Sequence, residues 1–142
     1  MRTKRLDFAL GLGLLLVAAL ACNYSASTAN ISSLKLGKDK GISQETTSFA
    51  ASDTIYALAD ISNAPDAVKV KGRLVVDEVA GQQSGPIPGL EKTLELPGSS
   101  TATFTFSPPP SGWPAGKYKM EVLMLNEGGE QKDQKAVSFS VS

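Results

Sequence analysis

Tyr118-Lys119-Met120-Glu121-Val122-Leu123-Met124, entered through Gly112-Trp113-Pro114-Ala115-Gly116-Lys117, decides how this 142-residue chain folds. Tyr118, Met120, Val122 and Met124 alternate with Lys119 and Glu121, which is the two-residue period of a strand with one face in a core. Pro114 stiffens the entry and Gly116 permits a tight turn. A strand opening at Tyr118 is predicted, with Trp113 capping the open end of the core.

The same period recurs on both sides of this stretch. Ile55, Ala57, Ala59 and Ile61 alternate with Tyr56, Leu58 and Asp60. Val68, Val70, Leu74 and Val76 alternate with Lys69, Lys71, Arg73 and Asp77. Leu94 and Leu96 flank Glu95, Ala102, Phe104 and Phe106 alternate with threonines, and Val137, Phe139 and Val141 with serines. An earlier strand around Leu34 and Leu36 brings the number to about seven. Beyond the N-terminal segment no useful window has a helical period. Asn63-Ala64-Pro65-Asp66, Pro97-Gly98, Pro108-Pro109-Pro110 and Asn126-Glu127-Gly128-Gly129 carry turn chemistry. Short strands punctuated in this way predict an all-β antiparallel sandwich over 34–142.

Tyr118 stands where immunoglobulin-like sandwiches place a tyrosine whose hydroxyl bonds back to the corner backbone. On Ser52-Asp53-Thr54-Ile55-Tyr56-Ala57, Val68-Lys69-Val70-Lys71, Gly112 to Val122 and Val137 to Val141, the chain resembles small bacterial lipoproteins with one immunoglobulin-like domain. The resemblance covers most of the chain after about Ser48, with Leu74 where such domains commonly carry a tryptophan. Its motifs concern the fold, and it implies no catalytic residues.

The N-terminal segment reads as an export signal. Arg2, Lys4 and Arg5 precede an apolar run from Phe8 to Ala21. That run is about 14 residues, short of the roughly 20 needed to span a bilayer, and Gly11 and Gly13 loosen it further. Ala18-Ala19-Leu20-Ala21-Cys22 resembles a lipoprotein processing site, although Ala19 stands where leucine is more usual. The resemblance implies cleavage after Ala21, a diacylglyceryl thioether on Cys22 and often an acylated amine. Two or three acyl chains would give a stable anchor. Ala19 and Ala21 also satisfy the small-x-small rule of ordinary secretory cleavage, so both routes stay open. The organisation expected is a signal peptide over 1–21, a lipidated Cys22 and flexible tether over 22–33, and the sandwich over 34–142. The expected location is the extracytoplasmic cell envelope. Asn23, where an aspartate would suggest inner-membrane retention, favours the outer membrane if the cell has one.

Several chemistries are disfavoured. With the leader go Arg2, Lys4, Arg5 and Asp7, which turns 14 basic against 14 acidic residues into a net charge of about −2. Nucleic-acid binding needs a basic excess instead. The chain has no histidine and a single cysteine, which removes the usual histidine-assisted nucleophiles, most zinc sites and any internal disulfide. Ser32-Ser33-Leu34-Lys35 matches Ser-x-x-Lys, but that chemistry needs both groups on one helical face. Asp77 and Glu78 are expected on opposite faces of a strand. Glu91 and Glu95 share a face as solvated acids, and Asp53, Asp60 and Asp66 lack the spacing of a calcium loop. Asn23-Tyr24-Ser25 and Asn30-Ile31-Ser32 match glycosylation acceptors but read as tether composition. A non-enzyme without metal or cofactor is expected.

Two surfaces remain as binding candidates. Lys69, Lys71 and Arg73, beside Lys117 and Lys119, would form a positive stripe for an anionic polymer or headgroup; the plainer reading is a solvated face softened by Glu121. Ile87, between prolines in the expected loop Gly81 to Gly89, and Trp113, ending Pro108 to Pro114, would serve a protein partner at the tip away from the membrane. The leading function is a binding or structural module. The alternative is an inhibitor or assembly chaperone that uses those distal loops or an edge strand.

Overall fold

Alternation becomes eight strands in the computed structural model, which describes residues 28–142. They are β1 (Asn30–Gly37), β2 (Ser48–Phe49), β3 (Ile55–Ser62), β4 (Val68–Val79), β5 (Gly85–Leu96), β6 (Ser100–Phe106), β7 (Gly116–Leu125) and β8 (Gln131–Val141). β1-β3-β6 make one sheet and β2-β8-β7-β4-β5 the other. All pairings are antiparallel except β2 with β8. The described residues thus form an all-β sandwich whose strand order follows the immunoglobulin-like split of the chain between two sheets. The expected signal peptide over 1–21 and Cys22 lie outside the described residues.

The core follows from the predicted parity. Ile55, Ala57, Ala59 and Ile61 are buried on β3, Val68, Val70, Leu74 and Val76 on β4, and Tyr118, Met120, Val122 and Met124 on β7. Each large aliphatic side chain fully removed from water contributes roughly 1.5–3 kcal/mol. Among the described residues no buried side-chain nitrogen or oxygen lacks a hydrogen-bond partner. Gly72 interrupts the apolar parity of β4 for a steric reason: a Cβ there would meet the Phe104 ring at 2.7 Å and Met120 Cε at 2.9 Å. That close approach sets β6 beneath β4.

Four expectations need correction. The tether stops short of Ser33, because β1 begins at Asn30 and Ile31, 3% exposed, is already core. The strands are eight rather than about seven: Ser48–Phe49 adds a short parallel strand that buries Phe49 against Phe139. Residues 85–89 are strand rather than loop, so Ile87 belongs to β5. The sequence hid this because β5 slips register: Arg73 pairs Glu91 and Val75 pairs Pro86, leaving 87–90 looped out opposite Leu74. Gly89, at φ +82°, supplies the left-handed turn this requires. Finally, Asp77 and Glu78 do not alternate in and out; a bulge in β4 exposes both.

Asn30 pairs Ser62, and Lys69 pairs Leu125. Loops 63–67, 97–99 and 126–130 therefore lie at the end where β1 begins. Loops 38–47, 50–54, 80–84 and 107–115 lie at the far end.

Candidate functional site

Far-end loops are tied down by hydrogen bonds. Tyr118 Oη donates to Pro114 O at 2.5 Å, the corner bond anticipated from the sequence. Burial pushes the Tyr118 hydroxyl pKa up. Trp113 Nε1 donates to Asp53 O at 2.7 Å, and Trp113 N to Ala51 O at 2.8 Å. Asp53 Oδ2 in turn accepts from Ala50 N at 2.7 Å and meets Lys38 Nζ at 3.2 Å. The Ala50 N–H chiefly holds the Asp53 carboxyl below the usual range; desolvation opposes it, and Lys38 adds to the lowering. Trp113 is only 5% exposed. Its ring joins two loops to the core, so it offers little surface to a partner at the tip.

The basic stripe is divided by acids. Lys69, Lys71 and Arg73 do share the outer face of β4, beside Lys117 and Lys119 on β7. Arg73 Nε donates to Glu121 Oε1 at 2.8 Å, across a directly paired position. Lys71 Nζ stands 3.6 Å from Glu91 Oε1, and Glu95 pairs opposite Lys69. The result is a checkerboard of charge with Leu123 and Leu125 half-exposed within it. A continuous positive potential suited to polyanions needs like charges that are not neutralised in this way.

Ile87 lies half-buried and packs against the core together with Leu90, Leu94 and Leu96 of β5. Cross-strand partners share a face, and Leu94 and Leu96 pair with the inward residues Val70 and Val68. Lys92 pairs with Gly72 and therefore also points inward. Its Nζ donates to Thr105 O on β6 and lies 5.3 Å from the centre of the Phe106 ring. On the opposite side of the sandwich, Asp133 Oδ2 of β8 accepts from Ile31 N of β1 at 2.8 Å. In both places a charged side chain of the larger sheet caps the backbone edge of the smaller one. Neither residue was singled out from the sequence. The available signal was a charge at a core-parity position, as in Leu90-Glu91-Lys92-Thr93-Leu94, which marks a guarded edge.

The outer face of the smaller sheet is joined by Asp60. Its carboxylate accepts from Thr101 Oγ1 at 2.6 Å and Ser33 Oγ at 2.8 Å, linking β6, β3 and β1. These two bonds lower its pKa, with Lys35 adding a smaller electrostatic contribution. Ser32 Oγ donates to Asp60 O at 3.1 Å. The Ser-x-x-Lys serine is thus occupied by backbone. Among the described residues no three His, Cys, Asp or Glu are grouped to hold a metal ion. What this molecule presents is sheet faces, loops and strand edges.

No family model matches the chain, and no curated protein matches it. Solved structures do resemble it. Two crystal structures of Bacteroides uniformis β-glucuronidase align over 79% of this chain, at TM-scores of 0.51 and 0.50 with 12% and 14% identity. The chain spans only 14% of the length of those enzymes. A Niemann-Pick type C2 protein from Japanese carpenter ant aligns over 82% of this chain and 94% of its own, with 16% identity and a TM-score of 0.48. The PmoD soluble domain from Methylocystis sp. covers 77% and 89%, with 18% identity and a TM-score of 0.44. At such identities the likeness concerns the fold alone.

Proposed function

We infer that this protein is a lipid-anchored, non-catalytic binding or structural module of the bacterial cell envelope. A thioether-linked lipid on Cys22 holds it on the extracytoplasmic side of a membrane, at the outer membrane if the cell has one. The observation carrying this reading is Cys22 itself: the only cysteine, directly after Ala18-Ala19-Leu20-Ala21 and about eight residues before β1. Eight residues reach at most about 27 Å, so the end bearing loops 63–67 and 126–130 stays near the bilayer. Loops 38–47 and 107–115 then face away from it. Support for binding rather than catalysis comes from the site chemistry. The serine of Ser-x-x-Lys bonds backbone, and the paired acids on the outer face meet Lys or Arg.

Mass spectrometry of the mature N-terminus from native membranes tests the anchor. A diacylglyceryl group on Cys22, and release of the Cys22→Ser protein into the soluble fraction, are expected. An unmodified, water-extractable product would contradict the reading. Crosslinking in the envelope tests the orientation: contacts at Lys38, Lys40 or the sheet faces are expected, and contacts confined to Asn63 and Gly128 would oppose it. A second reading, action on one protein partner through an edge strand, is favoured by the open β6 edge.

A further inference from the structure

The segment 38–47 between β1 and β2 is the longest connection among the described strands, about ten residues, and it crosses from the smaller sheet to the larger. It is folded back on itself. Thr46 N donates to Leu36 O at 3.0 Å, and Glu45 bridges Gly37. Ile42 N donates to Asp39 O at 3.0 Å, and the Asp39 carboxylate accepts from Ser43 N at 3.1 Å and Ser43 Oγ at 3.0 Å. Closure puts Ile42 at φ +46°, in the left-handed region, where a β-branched side chain is crowded by its own backbone. The side chain rests on Gly37: a Cβ there would meet Ile42 Cγ2 at 2.7 Å and Cγ1 at 3.0 Å. The turn therefore holds strain against a contact that only glycine allows. The strand before this turn is free to leave. β1 is the first described strand, so it can depart without unthreading another. It bonds along one edge to β3 and reaches the larger sheet through Ile31 N and Asp133. Its core residues Ile31, Leu34 and Leu36 fit the same slot in any copy of the chain.

We propose that β1 exchanges between two copies of this chain, with 38–47 opening as the hinge. Each β1 then pairs with β3 of the other copy, and every contact that β1 makes with β3, β8 and the core is remade across the dimer. The closed turn is given up, and Ile42 is released from the left-handed region. A strained hinge favours this exchange. Chain direction is unchanged in the borrowed slot, so both chains still enter at the end bearing loops 63–67 and 126–130. An open hinge reaches at most about 35 Å. That joins two copies side by side with those ends pointing the same way, as copies on one bilayer would stand. The exchange goes beyond the binding-module reading and does not need the anchor, although an anchor raises the local concentration that favours pairing.

The test uses the mature protein in detergent, as two variants. Leu34 and Ala59 are buried and directly paired, so one chain carries Leu34→Cys and the other Ala59→Cys. The two are unfolded, mixed, refolded over a range of concentrations and mildly oxidised. A disulfide between these positions of different chains forms only where β1 of one lies on β3 of the other, and its yield should rise with concentration. Either variant alone should give none of this bond. Gly37→Ala crowds Ile42 in the closed turn but leaves the open hinge free, and should raise the dimer fraction in sedimentation at least fivefold. Adding Ile42→Gly to Gly37→Ala removes both the crowding and the left-handed strain, and should reverse that rise. Absence of the mixed disulfide at every concentration, with and without Gly37→Ala, overturns the exchange. So does a sedimenting dimer that lacks the bond, which would assign self-association to another surface. The bond does not involve Cys22, so its failure leaves the anchor standing, and the reverse also holds.

Discussion

On the β1/β8 side the sheets finish together: β1 lies against β8, β2 covers the end of β8, and Asp133 caps Ile31 N. On the β5/β6 side the larger sheet has one more strand, which passes through 97–99 into β6 and contacts it, and the Lys92 ammonium bonds the outward-facing Thr105 O. The contrast separates two ways of handling open backbone. One side is closed by chain, and the other by a flexible cation that can let go. Asp133 is half-buried and bonds a core residue's N–H, whereas Lys92 is exposed and costs little to displace.

The largest effect should come from the element both sides share. Gly72→Val drives a side chain into Phe104 and Met120, and about 3 kcal/mol of unfolding free energy should be lost in denaturant titration. Tyr118→Phe removes the bond to Pro114 O and should cost about 1–2 kcal/mol, again without distinguishing the sides. Asp133→Ala should separate them. It leaves Ile31 N unpaired, costs about 1 kcal/mol and accelerates exchange at Ile31 while leaving β6 unchanged. Lys92→Met should change stability by less than about 0.5 kcal/mol, yet raise self-association in sedimentation by exposing an apolar edge.

The pH response gives a smaller effect. Asp60 has its folded pKa lowered from 3.8 by Thr101 and Ser33. Its contribution is therefore fully present above the unfolded value and is lost as pH falls through the lower folded value. Melting temperature should drop as pH is taken below about 4, and less steeply in Asp60→Asn.

Strand content was legible wherever the period ran unbroken, as in Ile55–Ile61 and Tyr118–Met124, because parity there is set by burial on one face. It was illegible where the ladder slips. Ile87 and Leu90 both face inward although they are three apart, since residues 87–90 are looped out opposite Leu74. Ser32 and Ser33 sit at another slip, so the first half of β1, Asn30 to Ser33, reads as tether until its pairing with β3 is known, while the strand around Leu34 and Leu36 is legible. The corner role of Tyr118 could be read locally, because donor and acceptor are four residues apart. The candidate basic residues were correctly placed on one face, but their neutralisation depends on Glu91 and Glu121 from other strands. Lys92 and Asp133 were missed for the same reason: what each caps lies 13 and 102 residues away in the chain.

Native-state amide exchange of the unliganded protein at low concentration compares the two sides directly. The account predicts that Ile31 exchanges slowly behind Asp133, while Thr101 and Thr103 exchange at nearly the rate of an open peptide. Equal, strong protection of Ile31, Thr101 and Thr103 would mean that the β6 edge is already filled, and would contradict it.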